Sequence, residues 1–305
     1  MDALYVSFHG GKHDYNNLHV YDLSGGRLGK AIDKDTLPSG MKLKELRGFT
    51  IGPDGKLYVA NARKDLSNIV RFTRSGDHTW VYDTVFAQGD TPQDPGLFHP
   101  YDIEFGPDGN LYVSSQDSGL VTRFAGPDQP QPGLALPTVL PGFPPGTFAS
   151  LQDGDDYQPG QGAYPIRGIA FDGDGNLRVA NETTGEIETY DGDGQQQPGI
   201  TSTSAVTIDK PVQVLFDAHG VLYIGSAGND AVVTYANGTL SNLIGPDGKH
   251  LHALSGLALD ADGHLYVGSR KADKILRYEL PDTTPSVLLH GLADNPEFVR
   301  VLPGS

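Results

Sequence analysis

The amino-acid sequence predicts an all-β fold in which six four-stranded sheets close into a ring. Three observations support this: a short pattern occurs six times, its copies follow one another at intervals of 43 to 66 residues, and one copy is divided between the two ends of the chain. Intervals of this length are typical of propeller blades. We therefore predict one six-bladed β-propeller domain spanning residues 1–305.

The repeated pattern is Gly-Pro-Asp-Gly followed two residues later by Leu-Tyr-Val. It is complete at 52–59 and 106–113, and varied at 173–179, 218–224 and 261–267. Its tyrosine positions give the spacing of the blades: Tyr5, Tyr58, Tyr112, Arg178, Tyr223 and Tyr266. Each interval is long enough for four short strands, named A to D outward from the central channel.

Each blade has recognisable strand signals in a fixed order. An alternating apolar run such as Phe49 and Ile51 predicts strand A, and the following Asp-Gly predicts a two-residue hairpin because glycine tolerates positive φ. Leu-Tyr-Val is strand B. Segments such as 68–72, 120–124 and 274–278 are predicted as strand C. Strand D is weaker, as at 80–82, and in the third blade it is placed near 138–140.

The two chain ends together supply the divided copy. Residues 295–305 match residues 99–109, and residues 3–6 continue the pattern. We expect 295–302 to form the innermost strand of the blade that contains Leu4, which would leave no open sheet edge around the ring.

Composition narrows the possible partners. The formal net charge of −16 argues against nucleic acid, whose binding depends on clustered Lys and Arg. The sequence has no apolar run of about 20 residues, so no membrane span is expected. Met1-Asp2-Ala3 leads directly into a strand; the protein is thus expected to be cytoplasmic, or secreted with its signal peptide already removed. The absence of cysteine fits either compartment. The oligomeric state is not predicted.

One segment, 141–165, departs from the repeat between the third and fourth blades. A connection of this length is usually functional or mobile. It could form a lid over the face where strand A begins, with Phe143, Phe148, Tyr157 and Tyr164 as walls, or it could be a passive surface loop. The sequence leaves both alternatives open.

Equivalent positions at the start of strand A predict a functional site. In a propeller the D-to-A and B-to-C loops share one face, here called the top, and the Asp-Gly turns lie at the opposite face, the bottom. The position two before the first apolar residue of strand A is occupied by Arg47, Tyr101, Arg167, Val212, Ser255 and Glu297. The desolvation of charged groups at a channel mouth is costly unless these groups pair with one another or with a ligand. The candidate catalytic residues are Arg47, Tyr101, Arg167, Glu297 and His99.

A second layer is expected from the loops around this mouth. The candidate substrate-binding residues are His9, Asn61, Arg63, Asn181, His252 and Arg270; His13, Gln116, Asp117, Glu182, Asn229 and Lys271 belong to the same loops. The top face should therefore be locally positive on an acidic molecule, and the predicted ligand is a small anionic molecule.

These repeats resemble those of NHL-repeat and gluconolactonase/senescence-marker propellers and of streptogramin (virginiamycin B) lyases. The first resemblance implies a divalent ion at the channel mouth, with Glu297 matching the family's glutamate and Asp102 one member of its Asn-Asp pair. Tyr101, Arg47 and Arg167 stand in place of the other ligands, so that metal site is not intact. The sequence does not identify a cofactor, and one divalent metal ion remains an alternative. The lyases use a histidine base with Mg²⁺, for which His9, His99 and His252 are the available histidines. The amidating lyases, also NHL propellers, combine a three-histidine Zn²⁺ site with Arg and Tyr.

Two functions remain as hypotheses. The first is a lyase or hydrolase in which arginines stabilise an anionic group, Tyr101 or His99 transfers a proton and Glu297 orients it. The second is a non-catalytic binding module that presents its top face to a protein, peptide or carbohydrate. The enzyme is favoured because binding propellers commonly occur joined to other domains.

Overall fold

The computed structural model describes residues 1–10, 15–63, 65, 67–89, 96–151, 165–246 and 250–304. It is an all-β, six-bladed propeller, as the sequence predicted. The strands are β1 (Ala3–Phe8), β2 (His19–Tyr21), β3 (Arg27–Lys30), β4 (Ile32–Asp33), β5 (Leu46–Ile51), β6 (Leu57–Asn61), β7 (Asn68–Arg74), β8 (Trp80–Gln88), β9 (Pro100–Phe105), β10 (Leu111–Ser115), β11 (Leu120–Phe124), β12 (Thr147–Ser150), β13 (Ile166–Phe171), β14 (Leu177–Asn181), β15 (Glu186–Tyr190), β16 (Gln196–Ile200), β17 (Pro211–Phe216), β18 (Leu222–Ser226), β19 (Ala231–Ala236), β20 (Thr239–Ile244), β21 (Leu254–Leu259), β22 (His264–Ser269), β23 (Lys274–Glu279), β24 (Ser286–Leu289) and β25 (Pro296–Leu302). Short 3₁₀ turns occur at Lys34–Thr36 and Arg270–Ala272.

The ring closes by pairing the last strand with the first. Strand β25 is antiparallel to β1, with Leu4 opposite Val301 and Tyr5 opposite Arg300, so blade 1 has the order β25-β1-β2-β3. The inner strands β5, β9, β13, β17, β21 and β25 each contact the next around the channel. The predicted tail-to-head closure is confirmed. Each inner strand thus contacts a neighbouring inner strand on both sides. The apolar core lies in layers between neighbouring blades.

The turn pattern is explained by a side-chain contact. Gly55 has φ 70°, as predicted, but the turn is longer than the expected two-residue hairpin. Gly52 pairs with Lys56 through a 2.8 Å hydrogen bond, which leaves a three-residue loop. The Asp54 carboxylate accepts a hydrogen bond from the Tyr58 hydroxyl at 3.0 Å. An equivalent bond joins Asp108 to Tyr112, which accounts for the coupled Asp-Gly and Leu-Tyr-Val motifs. In the repeat at 260–267 the Tyr266 hydroxyl instead bonds Asp260, which occupies the position of Gly52.

Two local differences from the sequence expectation concern outer strands. In blade 2, Ile32 pairs in parallel with Trp80, so β4 adds a fifth strand that the repeat did not indicate. In blade 3 the fourth strand is β12, and the prediction of 138–140 was wrong. Residues 125–146 form an additional connection before this strand, in which Val139 donates a hydrogen bond to the Thr147 carbonyl at 3.1 Å.

The proposed lid changes accordingly. Its first part, residues 141–151, belongs to the C-to-D connection and to β12 rather than to a D-to-A loop. Phe148 is buried and packs edge-on against Tyr112 at 5.0 Å between ring centroids, so it is a core residue and not a lid wall. Residues 152–164, including Tyr157 and Tyr164, lie outside the described residues.

The channel is closed midway along its length, where the inner strands alternately carry a glycine and a larger residue. The inner strands place Gly48, Asp102, Gly168, Gln213, Gly256 and Phe298 in one layer. A Cβ on Gly48 would lie 2.8 Å from the Cα of Asp102, and one on Gly168 would lie 2.8 Å from the Cα of Gln213. The glycines therefore let adjacent inner strands approach closely, while the buried Asp102, Gln213 and Phe298 occupy the intervening positions.

Candidate functional site

The candidate site is a cavity of about 470 Å³ at the top of the channel. All six residues predicted from equivalent strand positions line it, namely Arg47, Tyr101, Arg167, Val212, Ser255 and Glu297. The sequence register thus brings these side chains together. What each of them does stays a prediction.

A β-bulge in every blade explains this arrangement. The ladder between β5 and β6 pairs Leu46 with Asn61 and Phe49 with Val59, so the inner strand has one extra residue beside Arg47. The other five ladders between inner and second strands shift register at the equivalent place. A bulge redirects side chains and is common next to functional sites. The residue opposite is always small: Ser7, Ala60, Ser114, Ala180, Gly225 or Gly268.

A second set of lining residues comes from left-handed backbone conformations. Glu45, His99, Lys210 and Ala253 have φ between 48° and 55°, and each lies two residues before a member of the first set. All four line the cavity. Non-glycine residues adopt this conformation at an energetic cost, and such residues are concentrated at functional sites. No glycine marks these positions, so only the alignment of the repeats could have indicated them.

His99 belongs to a hydrogen-bonded chain of five side chains, here called the histidine network: Glu182, Arg167, Gln116, Asp117 and His99. Arg167 donates from Nε to Glu182 at 2.6 Å and from Nη1 to the Gln116 amide oxygen. The Gln116 nitrogen then donates to Asp117 at 3.4 Å. His99 Nδ1 lies 3.1 Å from the same Asp117 oxygen.

The geometry of this network favours one histidine tautomer. His99 Nδ1 lies 3.1 Å from Asp117, whose ionised carboxylate can only accept, and 3.3 Å from the Gln116 amide nitrogen, which can only donate; the shorter contact, to Asp117, favours the proton on Nδ1. Nε2 then carries a lone pair. This atom is buried, and among the described residues it has no hydrogen-bond partner; Glu45 Oε2 is 3.9 Å away. His99 is therefore arranged as a hydrogen-bond acceptor or a base.

On the other side of the cavity, Glu297 is surrounded by basic groups, here called the Glu297 cluster. Its Oε1 lies 3.1 Å from His9 Nδ1, 3.3 Å from Arg270 Nη1 and 3.5 Å from Arg47 Nη1. Burial alone would raise the pKa of Glu297, but the charge of Arg47, the hydrogen bond from His9 and the charge of Arg270 outweigh it and lower that pKa to about 2. The carboxylate is ionised throughout the physiological range.

Arg47 has hydrogen-bonding capacity left over. It is 4% exposed, and its Nε and Nη1 have no hydrogen-bond partner among the described residues.

Tyr101 lies between the histidine network and the Glu297 cluster. Its ring centroid is 4.8 Å from the Arg167 guanidinium, and its ring packs on Phe298. Burial raises the pKa of Tyr101 well above its usual range, despite the opposing charge of Arg167. Its hydroxyl is therefore protonated and can act as a donor but not as a base at neutral pH.

Several predicted substrate-binding residues do not reach the cavity. His9 and Arg270 line it; Asn61, Arg63, Asn181 and His252 do not. The amide of Asn61 bonds the Lys44 N–H and the Lys42 carbonyl, and Arg63 pairs with Asp65.

The other two residues also have local contacts. Asn181 caps the turn after β14, accepting from the backbone of Thr183 and Thr184, and His252 is exposed. These polar residues looked like ligands in sequence because a side chain that shapes a loop cannot be distinguished there from one that binds. His13 lies outside the described residues.

The charge of the mouth agrees with the sequence expectation. Among the described residues, five cations line the cavity, Arg47, Arg167, Lys210, Arg270 and Lys271, against the three carboxylates Glu45, Glu182 and Glu297. Lys210 was not identified from the sequence. The site combines this positive surface with the buried Nε2 atom of His99 and a protonated phenol.

The residues present do not fit the divalent ion of the gluconolactonase-like group. Three basic side chains, including two guanidiniums, contact Glu297, the one residue that matches that family's ligand. Arg47 and Arg167 would repel a cation placed beside it. Asp102, the other residue that matches a ligand of that family, is fully buried and accepts hydrogen bonds from the backbone of Ile103 and Ile169. A cluster elsewhere, Asp260, Asp262 and His264, forms an A-to-B turn whose groups bond one another.

Comparisons with known proteins establish the fold and leave the activity open. No family model and no curated protein matches the sequence. Similar solved structures include a catalytically inactive virginiamycin B lyase from Staphylococcus aureus with quinupristin, at 13% identity over 83% of this chain and 73% of that one, TM-score 0.53. A nidogen/laminin complex chain is 15% identical over 99% of this chain and 98% of that one, TM-score 0.65.

A protein of unknown function from Bacteroides caccae is also similar in structure. It is 14% identical over 99% of this chain and 98% of that one, with a TM-score of 0.62. These neighbours include both a lyase and a propeller from a protein complex. In the part of the chain that the structure describes, no helix is long and apolar enough to span a membrane.

Proposed function

We propose that this protein is a lyase or hydrolase that acts on a small anionic or polar molecule in the top cavity. The observation that carries the proposal is the buried pairing of complementary unused groups around one cavity. His99 offers a lone pair on Nε2, and Arg47 offers a donor on Nε, while its Nη1 lies in the ion pair with Glu297 at 3.5 Å. Buried polar groups without partners are costly in a purely structural site.

The residues divide the chemistry as follows. His99, held by Asp117, removes a proton from the substrate or from a water molecule. Arg47 binds the carboxylate or oxyanion that develops, with Arg167 adding positive charge from across Tyr101. Tyr101 is the proton donor. Glu297 is a positioning residue, because its contacts with Arg47, His9 and Arg270 hold the cationic side of the cavity in place.

The positive lining supports an anionic substrate. Five cations face three carboxylates at the mouth of a protein whose formal charge is −16, which would concentrate anions at this point of the surface. The lyase neighbour acts as a precedent for small-molecule chemistry on this fold, and its ligand quinupristin is a suitable probe.

The test is a turnover screen with chromogenic esters, lactones, α-hydroxy carboxylates and quinupristin. His99→Ala should lower kcat by about 10²- to 10⁴-fold on the active substrate. Asp117→Asn should alter the pH dependence of kcat, because it replaces the charged acceptor of the Nδ1 proton with a neutral amide. Arg47→Ala should cost about 2–5 kcal/mol in transition-state binding. The matched control is Arg63→Ala, which removes an arginine of the same face that does not line the cavity.

A non-catalytic binding module is the competing function. It is favoured by the structural neighbour from a nidogen/laminin complex, which is similar over nearly the whole chain. This alternative would be supported if no compound were turned over while a carboxylate ligand bound in a manner dependent on Arg47. Equal activity in wild type and His99→Ala would contradict the proposed base.

A further inference from the structure

A second cavity of about 480 Å³ lies at the bottom of the channel, where all six inner strands end. No residue lines both this cavity and the top one among those described, since Asp102, Gln213 and Phe298 lie in the layer between them. Its wall is mainly apolar, with Ile51, Phe105, Phe171, Phe216 and Leu259 at the ends of the strands. Its volume and lining are those of a small-molecule site.

The polar groups of this bottom cavity are few and define its preference. Arg300 bonds the Glu104 carboxylate through Nη2 and the Thr50 hydroxyl through Nη1 at 2.9 Å. The buried carboxylate of Asp102 lies 3.9 Å from the same guanidinium. The Glu104 carboxylate thus pairs with the single cation that lines the cavity in the described structure, so an anion would find no unpaired positive charge.

The remaining polar group of the bottom cavity, the Gln213 amide, offers a hydrogen-bond acceptor. Gln213 is 2% exposed and lines the cavity. Its amide nitrogen donates to the Asp102 carboxyl group at 3.4 Å. The amide oxygen of Gln213 is buried and has no partner within the described parts of the chain. It requires a donor.

The rim has the same preference. The turns that surround the bottom opening contain Asp54, Asp108, Asp172, Asp217 and Asp260. The first three pair with Arg71, Arg123 and Arg178, whereas among the described residues no lysine or arginine pairs with Asp217 or Asp260, which leaves a local negative charge at the rim. A field of this sign attracts cations.

We propose that the bottom cavity binds a small primary ammonium ion with an apolar body. The ammonium donates to the Gln213 amide oxygen and to Glu104, and the apolar body contacts Phe105, Phe171 and Phe216. An ammonium has three donors and no acceptor, which matches an acceptor-rich floor. The site is independent of the proposed reaction in the top cavity.

The test compares phenethylammonium with phenylacetate, an anion of similar size, by calorimetry and by the NMR shift of the Gln213 side-chain amide in the wild-type protein. Phenethylammonium should bind at least about tenfold more tightly and should shift the Gln213 resonance. Gln213→Leu should weaken its binding about tenfold. Ala170→Leu, which adds volume to the bottom cavity, should abolish it.

The matched control is Ala227→Leu, which adds the same volume to the top cavity and should leave phenethylammonium binding unchanged. Thermal melts establish that each variant is folded. The wild-type comparison of the two probes decides the proposal even if Gln213→Leu does not fold. The proposal would be overturned if phenylacetate bound more tightly than phenethylammonium, or if phenethylammonium did not bind. It would also be overturned if Ala227→Leu inhibited phenethylammonium binding and Ala170→Leu did not.

Discussion

Substituting Glu297 should reduce stability in a pH-dependent way, and the size of the effect follows from its pKa. That pKa is about 2 in the folded protein, against an ordinary value of 4.5. The lowering corresponds to about 3 kcal/mol of unfolding free energy at neutral pH. Because the folded-state pKa is the lower one, this stabilisation is complete above the ordinary value and is lost as the pH falls through about 2.

Glu297→Gln keeps the shape of the side chain and removes its charge. Arg47 would then be buried without its counter-ion, because Nη1 pairs with Glu297 at 3.5 Å. Removing one partner of a buried ion pair typically costs about 3–5 kcal/mol. We expect a decrease of that order in the unfolding free energy at pH 7.

Urea denaturation of wild type and Glu297→Gln between pH 7 and pH 3 measures the effect. The stability difference between them should be about 2 kcal/mol smaller at pH 3 than at pH 7, since protonation in the unfolded state then competes. Glu279→Gln is the control: its side chain is 68% exposed and pairs with Arg277, so it should change stability by less than about 1 kcal/mol. A stability difference that is the same at both pH values would refute the assigned charge state.

Three further predictions concern the scaffold. Deleting residues 296–305 removes β25 and exposes the edge of β1, so the variant should aggregate; a soluble protein that melts cooperatively would contradict ring closure. Gly48→Ala places a Cβ 2.8 Å from the Cα of Asp102 and should lower the unfolding free energy by about 1–3 kcal/mol, whereas Gly173→Ala, with no atom within 4 Å, should be neutral in the same urea titration. Asn61→Ala should lower Tm through its lost loop hydrogen bonds while leaving kcat/KM unchanged; a selective loss of kcat/KM would restore Asn61 as a substrate contact.

The repeat also predicted much of the top cavity. Arg47, Tyr101, Arg167 and Glu297 could be placed together because equivalent residues of six similar units are related by the ring itself. Asn61 and Asn181, which were placed at the mouth from the ends of the second strands, do not line the cavity, and their polar groups bond their own loops. A loop side chain's direction depends on the local backbone path, and residue type alone does not report it.

The sequence by itself determined the number of blades, the order of the strands and the closure of the ring, because each depends on local turn chemistry repeated along the chain. The Asp-Gly turn and the tyrosine it bonds are separated by only a few residues, so both are visible as one motif. The tail-to-head match needed no information about packing.

Only the tertiary structure decided which polar groups have partners. The chain from Glu182 through Arg167, Gln116 and Asp117 to His99 joins residues of two blades, and the amide of Gln213 bonds Asp102 of another blade. Such contacts depend on how adjacent sheets twist and on where each bulge turns its strand. Hydrogen bonds act over about 3 Å, so the unused atoms that define both cavities appear only when the blades are packed together.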